Sequence, residues 1–378
     1  MAAMALAATV RERLAALTAK GSLVREEEGK LRCLACGHRC LLGEGKEGVC
    51  RVRFARDGEL RVPWGYVATI AADPIEKKPF FHLLPGATAL SFGMLGCDFR
   101  CAYCQNWEIS QTLRDAEADS WARTRPASPE GIVAAALAEG AAVVTSTYNE
   151  PLITAEWAAA VFTEARRAGL LTSFVSNGNA TPEALDFLRP LVDAYKVDLK
   201  GMSEDGYRRV GGRLSVVLDA LAGLVARGFW VEVVTLVVPG HNDSEAELRD
   251  AARFLCSLSP DLPWHVTAFH PDYRMGVTAP TPIRTLLKAA DIGREEGLRY
   301  VYTGNVPGAV GGGETTGCPS CGEVLVERRG FRVLSRRVGD DGSCPRCLAL
   351  TPGVWGRGSA PVPPARPGAG EGAPGAPN

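Results

Sequence analysis

The sequence predicts an α/β protein built on a parallel sheet, and three observations carry that reading. Between residues 88 and 305, short apolar and β-branched runs alternate with helical stretches. Such alternation means parallel strands joined by right-handed crossovers. Nearly every apolar run ends in polar or metal-ligating residues, and in these folds the chemistry collects at the carboxyl ends of the strands. The chain of 378 residues also has room for one large core plus smaller appendages. Six or seven strand–helix units favour a closed or partly closed (β/α) barrel, while the periodicity alone also fits a flat doubly wound sheet.

The strands are expected at 87–96, 141–147, 171–177, 194–200, 230–238, 264–270 and 298–303. Each is short, apolar and bounded by turn residues. Helices are expected at 129–140, 153–169, 215–228, 244–258 and 282–297. The residues leaving the strands are the stretch Cys97 to Cys104, Tyr148-Asn149-Glu150, Asn177-Gly178, Asp198-Leu199-Lys200, Pro239-Gly240-His241 and His270.

Composition narrows the class. Lysine and arginine number 42 against 43 acidic residues, which leaves no basic footprint for nucleic acid and no polybasic membrane anchor. With 46% apolar residues the chain as a whole is not disordered. The first residues, MAAMALAATVRERLAALTAKG, resemble a signal peptide only superficially. No basic segment precedes the apolar stretch, which runs into Arg11, Glu12 and Arg13, so an amphipathic helix is expected. No membrane span is expected either. Twelve cysteines at clustered short spacings suit metal ions better than crosslinks, and point to a reducing, cytoplasmic setting. The expected organisation is an N-terminal helix and Cys-rich module (1–86), a barrel (87–310), a zinc-ribbon-like module (311–355) and a disordered Gly/Pro/Ala tail (356–378).

The segment GCDFRCAYCQNW places Cys97, Cys101 and Cys104 at C-x3-C-x2-C directly after the first strand. A ferredoxin-type cluster takes four cysteines, and no further one follows until Cys256. Three thiolates on a four-iron cube leave one iron open, as a catalytic zinc keeps a position for its substrate. A zinc site completed by a distant histidine is the plainer rival.

This triplet, with aromatic Tyr103 before its last cysteine, resembles the signature of the radical S-adenosylmethionine (radical SAM) superfamily. The resemblance implies a [4Fe-4S] cluster on Cys97, Cys101 and Cys104, whose open iron chelates S-adenosylmethionine. It also implies reductive cleavage to a 5′-deoxyadenosyl radical that abstracts a hydrogen atom from substrate. Tyr148-Asn149-Glu150-Pro151 is similar to the family's Gly-Gly-Glu-Pro segment, without its two glycines. Glu150 would accept the methionine ammonium. Asp198-Leu199-Lys200 is similar to a segment of glycyl-radical activating enzymes that lies beside S-adenosylmethionine, where Lys200 would face its carboxylate. VVPGHND (237–243) and His270 in AFHPDYR resemble that subfamily too. Taken singly, Asp198 with Lys200 could be a surface pair and His270 a core histidine.

Three stretches also resemble the radical SAM enzyme of the AmmeMemoRadiSam system: CLACGHRCLLGEGKEGVC (33–50), DPIEKKPFFHLLPG (73–86) and GCDFRCAYCQNWEIS (96–110). That likeness spans about residues 25 to 356 and implies a partial (β/α)6 TIM-like barrel. It implies a low-potential electron donor, flavodoxin or ferredoxin, and as partners AmmeMemo proteins or a protein substrate.

Cys318, Cys321, Cys344 and Cys347 form two C-x2-C pairs flanking the alternating stretch VLVERRGFRVLSRR, a zinc-ribbon pattern with a second iron–sulfur cluster as rival. Its arginines, with Phe331 the lone aromatic among them, make a weak nucleic-acid signal. Cys33, Cys36, Cys40 and Cys50 depart from ferredoxin spacing, so zinc and an auxiliary cluster both stay open. Cys256, beside Phe254 and Leu255, reads as a small hydrophobe. The expected function is a radical SAM oxidoreductase acting on an unidentified substrate. The alternatives are a glycyl-radical, pyruvate formate-lyase-like activating enzyme and a non-catalytic metal-bound scaffold.

Overall fold

The computed structural model describes residues 9–306, 311–358 and 361–364. Its centre is one sheet of eight strands. The first, β1 (Thr69–Pro74), runs antiparallel to β2 (Thr88–Gly93), pairing Thr69 with Gly93 and Pro74 with Thr88. Six parallel strands follow in chain order: β3 (Val143–Ser146), β4 (Leu171–Ser176), β5 (Ala194–Asp198), β6 (Trp230–Val237), β7 (Trp264–Ala268) and β8 (Val301–Gly304). All seven expected strands form. The parallel set therefore numbers seven, against the six of the barrel implied by the resemblance.

Six crossover helices link them: α1 (Pro129–Ala138), α2 (Ala155–Arg167), α3 (Pro182–Leu188), α4 (Leu214–Ala226), α5 (Glu245–Leu258) and α6 (Ile283–Glu295). Ser128, Thr181 and Ser244 cap α1, α3 and α5 by accepting a backbone N–H, and Pro129 and Pro182 start their helices with φ already set. Helix α2 buries Trp157, Val161 and Phe162. The Phe162 ring meets Phe92 of β2 and Phe174 of β4 edge-on at 6.3 and 6.0 Å. Each such side chain, fully buried, contributes roughly 1.5–3 kcal/mol.

The opposite face of the sheet carries smaller and polar residues. Ser91, Thr145 and Ser173 stand in one register row, and Val175, Lys196 and Glu232 in another. At the amino ends of the strands this face is covered by residues 75–86, whose Ile75, Phe80, Leu83 and Leu84 pack with Ala194 and Trp230. Buried Glu232 pins that segment. Its carboxylate accepts the backbone N–H of Phe81 (2.9 Å) and His82 (2.9 Å), the indole N–H of Trp230 (3.1 Å) and Nε2 of His265 (2.7 Å). Toward the carboxyl ends of the strands the same face meets a cavity. The expected boundary at residue 86 thus falls inside the sheet layer, because β1 and the segment after it complete this face.

The chain before β1 forms a helix, Val10–Ala16, with a capping box between Thr9 and Glu12, and two three-stranded antiparallel sheets. Residues 1–8 of the expected N-terminal helix lie outside the described residues. The C-terminal module is a three-stranded sheet whose hairpin pairs Val324–Arg329 with Arg332–Arg336. In the stretch expected to be disordered, Val362 exchanges two backbone hydrogen bonds with Gly353 and packs beside Trp355. Residues 359–360 and 365–378 of that tail lie outside the described residues. Among the described residues no helix is long and apolar enough to cross a membrane.

The buried imidazoles make stability depend on pH. Burial pushes His82 down to about 4, and burial also lowers His265 against the pull of Glu232. The unfolded chain takes up protons below about pH 6.5, whereas folded His82 stays neutral until about 4. Its contribution is complete above pH 6.5 and shrinks as pH falls. Between pH 7.5 and 5 the loss from His82 is about 2 kcal/mol. Urea midpoints at the two pH values test this, with His82→Gln expected to flatten the difference. Equal slopes for both proteins would contradict it.

Candidate active site

A cavity of about 410 Å³ opens at the carboxyl ends of the strands. The loop after β2 brings Cys97, Cys101 and Cys104 into its wall together with Tyr103. Asn149 and Glu150 reach it from the turn after β3, and Asp198 and Lys200 from the end of β5. Eight of the nine residues singled out around the triplet therefore share one space. The ninth, His270, does not line it. That imidazole is exposed and stands 3.1 Å from Nε2 of Gln105, which does.

Local backbone geometry explains how Glu150 arrives there. Tyr148 takes φ +74°, a left-handed conformation that costs a non-glycine residue about 1–3 kcal/mol. The turn crosses β2 at Gly93, where a Cβ would lie 2.7 Å from the Thr147 carbonyl oxygen and 3.0 Å from Tyr148 Cβ. Gly93→Ala is therefore expected to destabilise by about 1–3 kcal/mol and to weaken S-adenosylmethionine binding. Denaturant unfolding and a binding titration measure the two effects; an alanine variant with both intact would contradict the account.

The Glu150 carboxylate is held from three sides. It accepts from Ser176 Oγ (2.7 Å), the backbone N–H of Asn177 (2.7 Å) and that of Leu152 (3.0 Å). Burial, followed by the neighbouring Asp98 charge, pushes it up to about 8. An arriving cation would relieve that cost. Asp198 sits between Lys196 and Lys200, with Lys200 Nζ at 3.5 Å and Lys196 Nζ closer. Burial raises its pKa, but the two ammonium groups outweigh burial and the net shift is downward. Burial acts to lower Lys200, yet Asp198 and the nearby Cys101 hold its pKa well above the ordinary value.

Cys101 is buried, and Cys97 and Cys104 are half-buried. Burial pushes Cys101 up to about 12 and raises Cys97 and Cys104. Metal must therefore displace protons to bind. The backbone N–H of Phe99 points at Cys97 Sγ (3.4 Å), and Ser110 Oγ lies 3.2 Å from Cys104 Sγ. Such contacts orient ligands and tune a bound metal. Among the described residues, the group of sulfurs gathered within 4.8 Å of one another is the C-terminal four, not this triplet. A single ion would draw ligands that close, whereas a cube spreads them over separate irons.

That C-terminal group fits a single ion. Cys318 and Cys347 lie 3.6 Å apart at sulfur, and Cys321 and Cys344 3.7 Å. Four thiolates 2.3 Å from a tetrahedral ion have edges of about 3.8 Å. Cys344 falls to about 7 despite burial, because backbone N–H groups of Cys347 and Arg346 point at its sulfur. The N-terminal cysteines stand outside the cavity lining. Cys33, Cys36 and Cys50 are buried and Cys40 half-buried. Their segment abuts the site, since Gly37 donates to the Asn179 carbonyl (2.8 Å).

Sequence reasoning missed Asp98. Its buried carboxylate accepts from Asn177 Nδ2 (2.7 Å) and Asn179 Nδ2 (2.8 Å), tying the cysteine loop to the end of β4. The signal was the Asn-Gly-Asn run closing that strand. Lys196, Lys78 and Phe331 also reach the cavity unforeseen. Lys78 approaches from the segment before β2, and its Nζ lies 3.1 Å from both Tyr148 Oη and Asp73 Oδ2.

Residues 93–255 match the family described as the Radical SAM superfamily. An uncharacterized protein of Methanocaldococcus jannaschii is 39% identical over 310 residues, covering 81% of this chain and 90% of that one. The isethionate sulfite-lyase activating enzyme of Oleidesulfovibrio alaskensis is 28% identical over 128 residues, 32% of this chain and 41% of its own. A radical SAM methyltransferase structure from Sphaerobacter thermophilus superposes with TM-score 0.46 at 16% identity, over 59% of this chain and 68% of that one. A domain of pyruvate-formate lyase-activating enzyme from Bacteroides vulgatus gives 0.38 at 19% identity, over 43% and 98%. On the family match and the long relative together, this chain belongs to the radical SAM superfamily.

Proposed function

We propose that the cavity binds S-adenosylmethionine against a [4Fe-4S] cluster held by Cys97, Cys101 and Cys104, and that the protein is a hydrogen-abstracting oxidoreductase of the AmmeMemoRadiSam type. The observation carrying this is the meeting, in one buried space, of three thiols after β2, a carboxylate after β3 and an ammonium after β5. When bound, the cluster and S-adenosylmethionine supply the electron that breaks a sulfonium carbon–sulfur bond and the 5′-deoxyadenosyl radical that takes a hydrogen atom from substrate. The protein's own residues position and exclude. Glu150, fixed by Ser176 and two backbone N–H groups, has acceptor capacity left on Oε2 and would accept from the methionine ammonium. Lys200, steadied by Asp198, would supply a cation to the methionine carboxylate. Asn149 accepts the backbone N–H of Met94, just past β2, and donates to the Glu150 carbonyl, joining the two strand ends. Tyr103 walls the triplet, and His270 at the rim steadies Gln105.

The sequential, singly wound strand order supports reading the sheet as a partial barrel. Four sulfurs at tetrahedral spacing support zinc in the C-terminal module. The N-terminal cysteines are read as a further metal group. Twelve free cysteines fit a reducing cytoplasm, and the reductant would be flavodoxin or ferredoxin. S-adenosylmethionine added to the reduced, reconstituted protein should change the electron paramagnetic resonance spectrum of the cluster. An identical spectrum with and without it would count against the reading.

A second reading is favoured by the 28% identity to an isethionate sulfite-lyase activating enzyme. In that case the substrate is a glycine on a partner protein. A persistent organic radical on the partner distinguishes the two.

A further inference from the structure

We propose that the C-terminal four-cysteine module is a metal-locked wall of the reaction cavity, with Phe331 at its hairpin tip as the side chain a substrate passes to reach the cysteine triplet. The inference rests on the radical SAM reading of the cavity and extends it to a module that the sequence treats as an appendage.

Phe331 follows Gly330 (φ +60°) at the turn between the two strands of the hairpin. It lines the same cavity as Cys97, Cys101 and Cys104, yet is 45% exposed. A phenyl ring half in water at a cavity rim gains most by covering an apolar surface. The hairpin is fastened beside its tip, at Arg328. Arg328 is 5% exposed; it donates to the Phe81 carbonyl (2.6 Å) and Thr316 Oγ1 (2.8 Å), and lies 3.4 Å from Glu76. Its guanidinium also stacks over the Phe81 ring at 4.3 Å. Val333 fills the space over Gly86. Glu76, Phe81 and Gly86 belong to the segment that carries Lys77, Lys78 and Pro79 into the cavity wall. Hairpin and segment form one wall.

What keeps the hairpin folded is small. Its core is Leu325, Val326, Val338 and Trp355, together with the ligating Cys318 and Cys344 themselves. In so small a core a bound ion supplies much of the folding free energy. Metal loss should therefore loosen the Phe331 wall, although the four cysteines stand apart from the cavity lining.

The test uses the full chain, anaerobically reconstituted with its cluster, and follows iron release to two chelators. Bathophenanthroline disulfonate is bulky and 2,2′-bipyridyl is small. Phe331→Ala should speed release to the bulky chelator several-fold while leaving thermal unfolding and release to the small one unchanged. Cys347→Ser should lose one equivalent of bound metal, shift Trp355 fluorescence and show the same selective acceleration. Parent-like release to the bulky chelator from Phe331→Ala would overturn the proposal, whatever the metal content of the other variant. Absence of the cluster's absorbance in the parent, visible before any chelator is added, would instead sink the radical SAM reading.

Discussion

Replacing Cys101 by Ala is expected to abolish reductive cleavage of S-adenosylmethionine and to leave the reconstituted protein short of iron and sulfide. The thiol is 7% exposed and stands between the other two cysteines of its loop. Among the described residues no thiol beyond Cys97, Cys101 and Cys104 lines the cavity to replace it. Loss of an outer partner costs a metal site roughly 10–100-fold, and loss of a ligand should exceed that. Cys256→Ala is the matched control. That cysteine lies on α5, away from the cavity, and its variant should cleave at the parent rate. Iron, sulfide and 5′-deoxyadenosine assays on the two variants decide the matter. Full cleavage by the Cys101 variant would mean that the ligands lie elsewhere.

The largest stability effect is expected at the joint between the N-terminal sheets and crossover helix α2. Arg53 and Glu156 form a two-pronged ion pair at 2.7 and 2.8 Å, with Arg53 only 1% exposed. Glu156 also accepts the backbone N–H groups of Ser22 and Leu23, each at 3.2 Å. Glu156→Ala would strand a buried guanidinium and two backbone donors, at a cost of about 3–5 kcal/mol. Replacing both partners with apolar residues, Arg53→Met with Glu156→Leu, should cost much less, because no charge is left unpaired. Equilibrium urea unfolding measures both. A Glu156→Ala loss below about 1 kcal/mol would show that the pair is not the joint described.

Much of the molecule was legible in advance, for physical reasons that also explain the gaps. All seven parallel strands were visible because strands buried on both faces read as continuous apolar runs. Helix starts showed themselves through Ser128-Pro129 and Ser244. The strand-end rule singled out Cys97, Glu150 and Lys200, and the structure brings all three to one cavity. It also collected His270, which the chain turns outward to Gln105.

Strand β1 was invisible, because TIAADP is half-exposed, lacks alternation and ends in proline. The hairpin wall was missed for a different reason. Arg328 meets Glu76 across 252 residues of sequence, and no local pattern announces so distant a partner. Asp98 hid inside the cysteine motif, where a carboxylate looks like spacing until Asn177 and Asn179 close on it.

The proposed reaction spends one electron to break S-adenosylmethionine at the Cys97–Cys104 loop. The most direct measurement is anaerobic: protein reconstituted with iron and sulfide, then given dithionite and S-adenosylmethionine, with 5′-deoxyadenosine and methionine quantified together. Both products are expected in equal amounts, and neither when dithionite is withheld. A protein carrying its full cluster absorbance that yields no 5′-deoxyadenosine would contradict it.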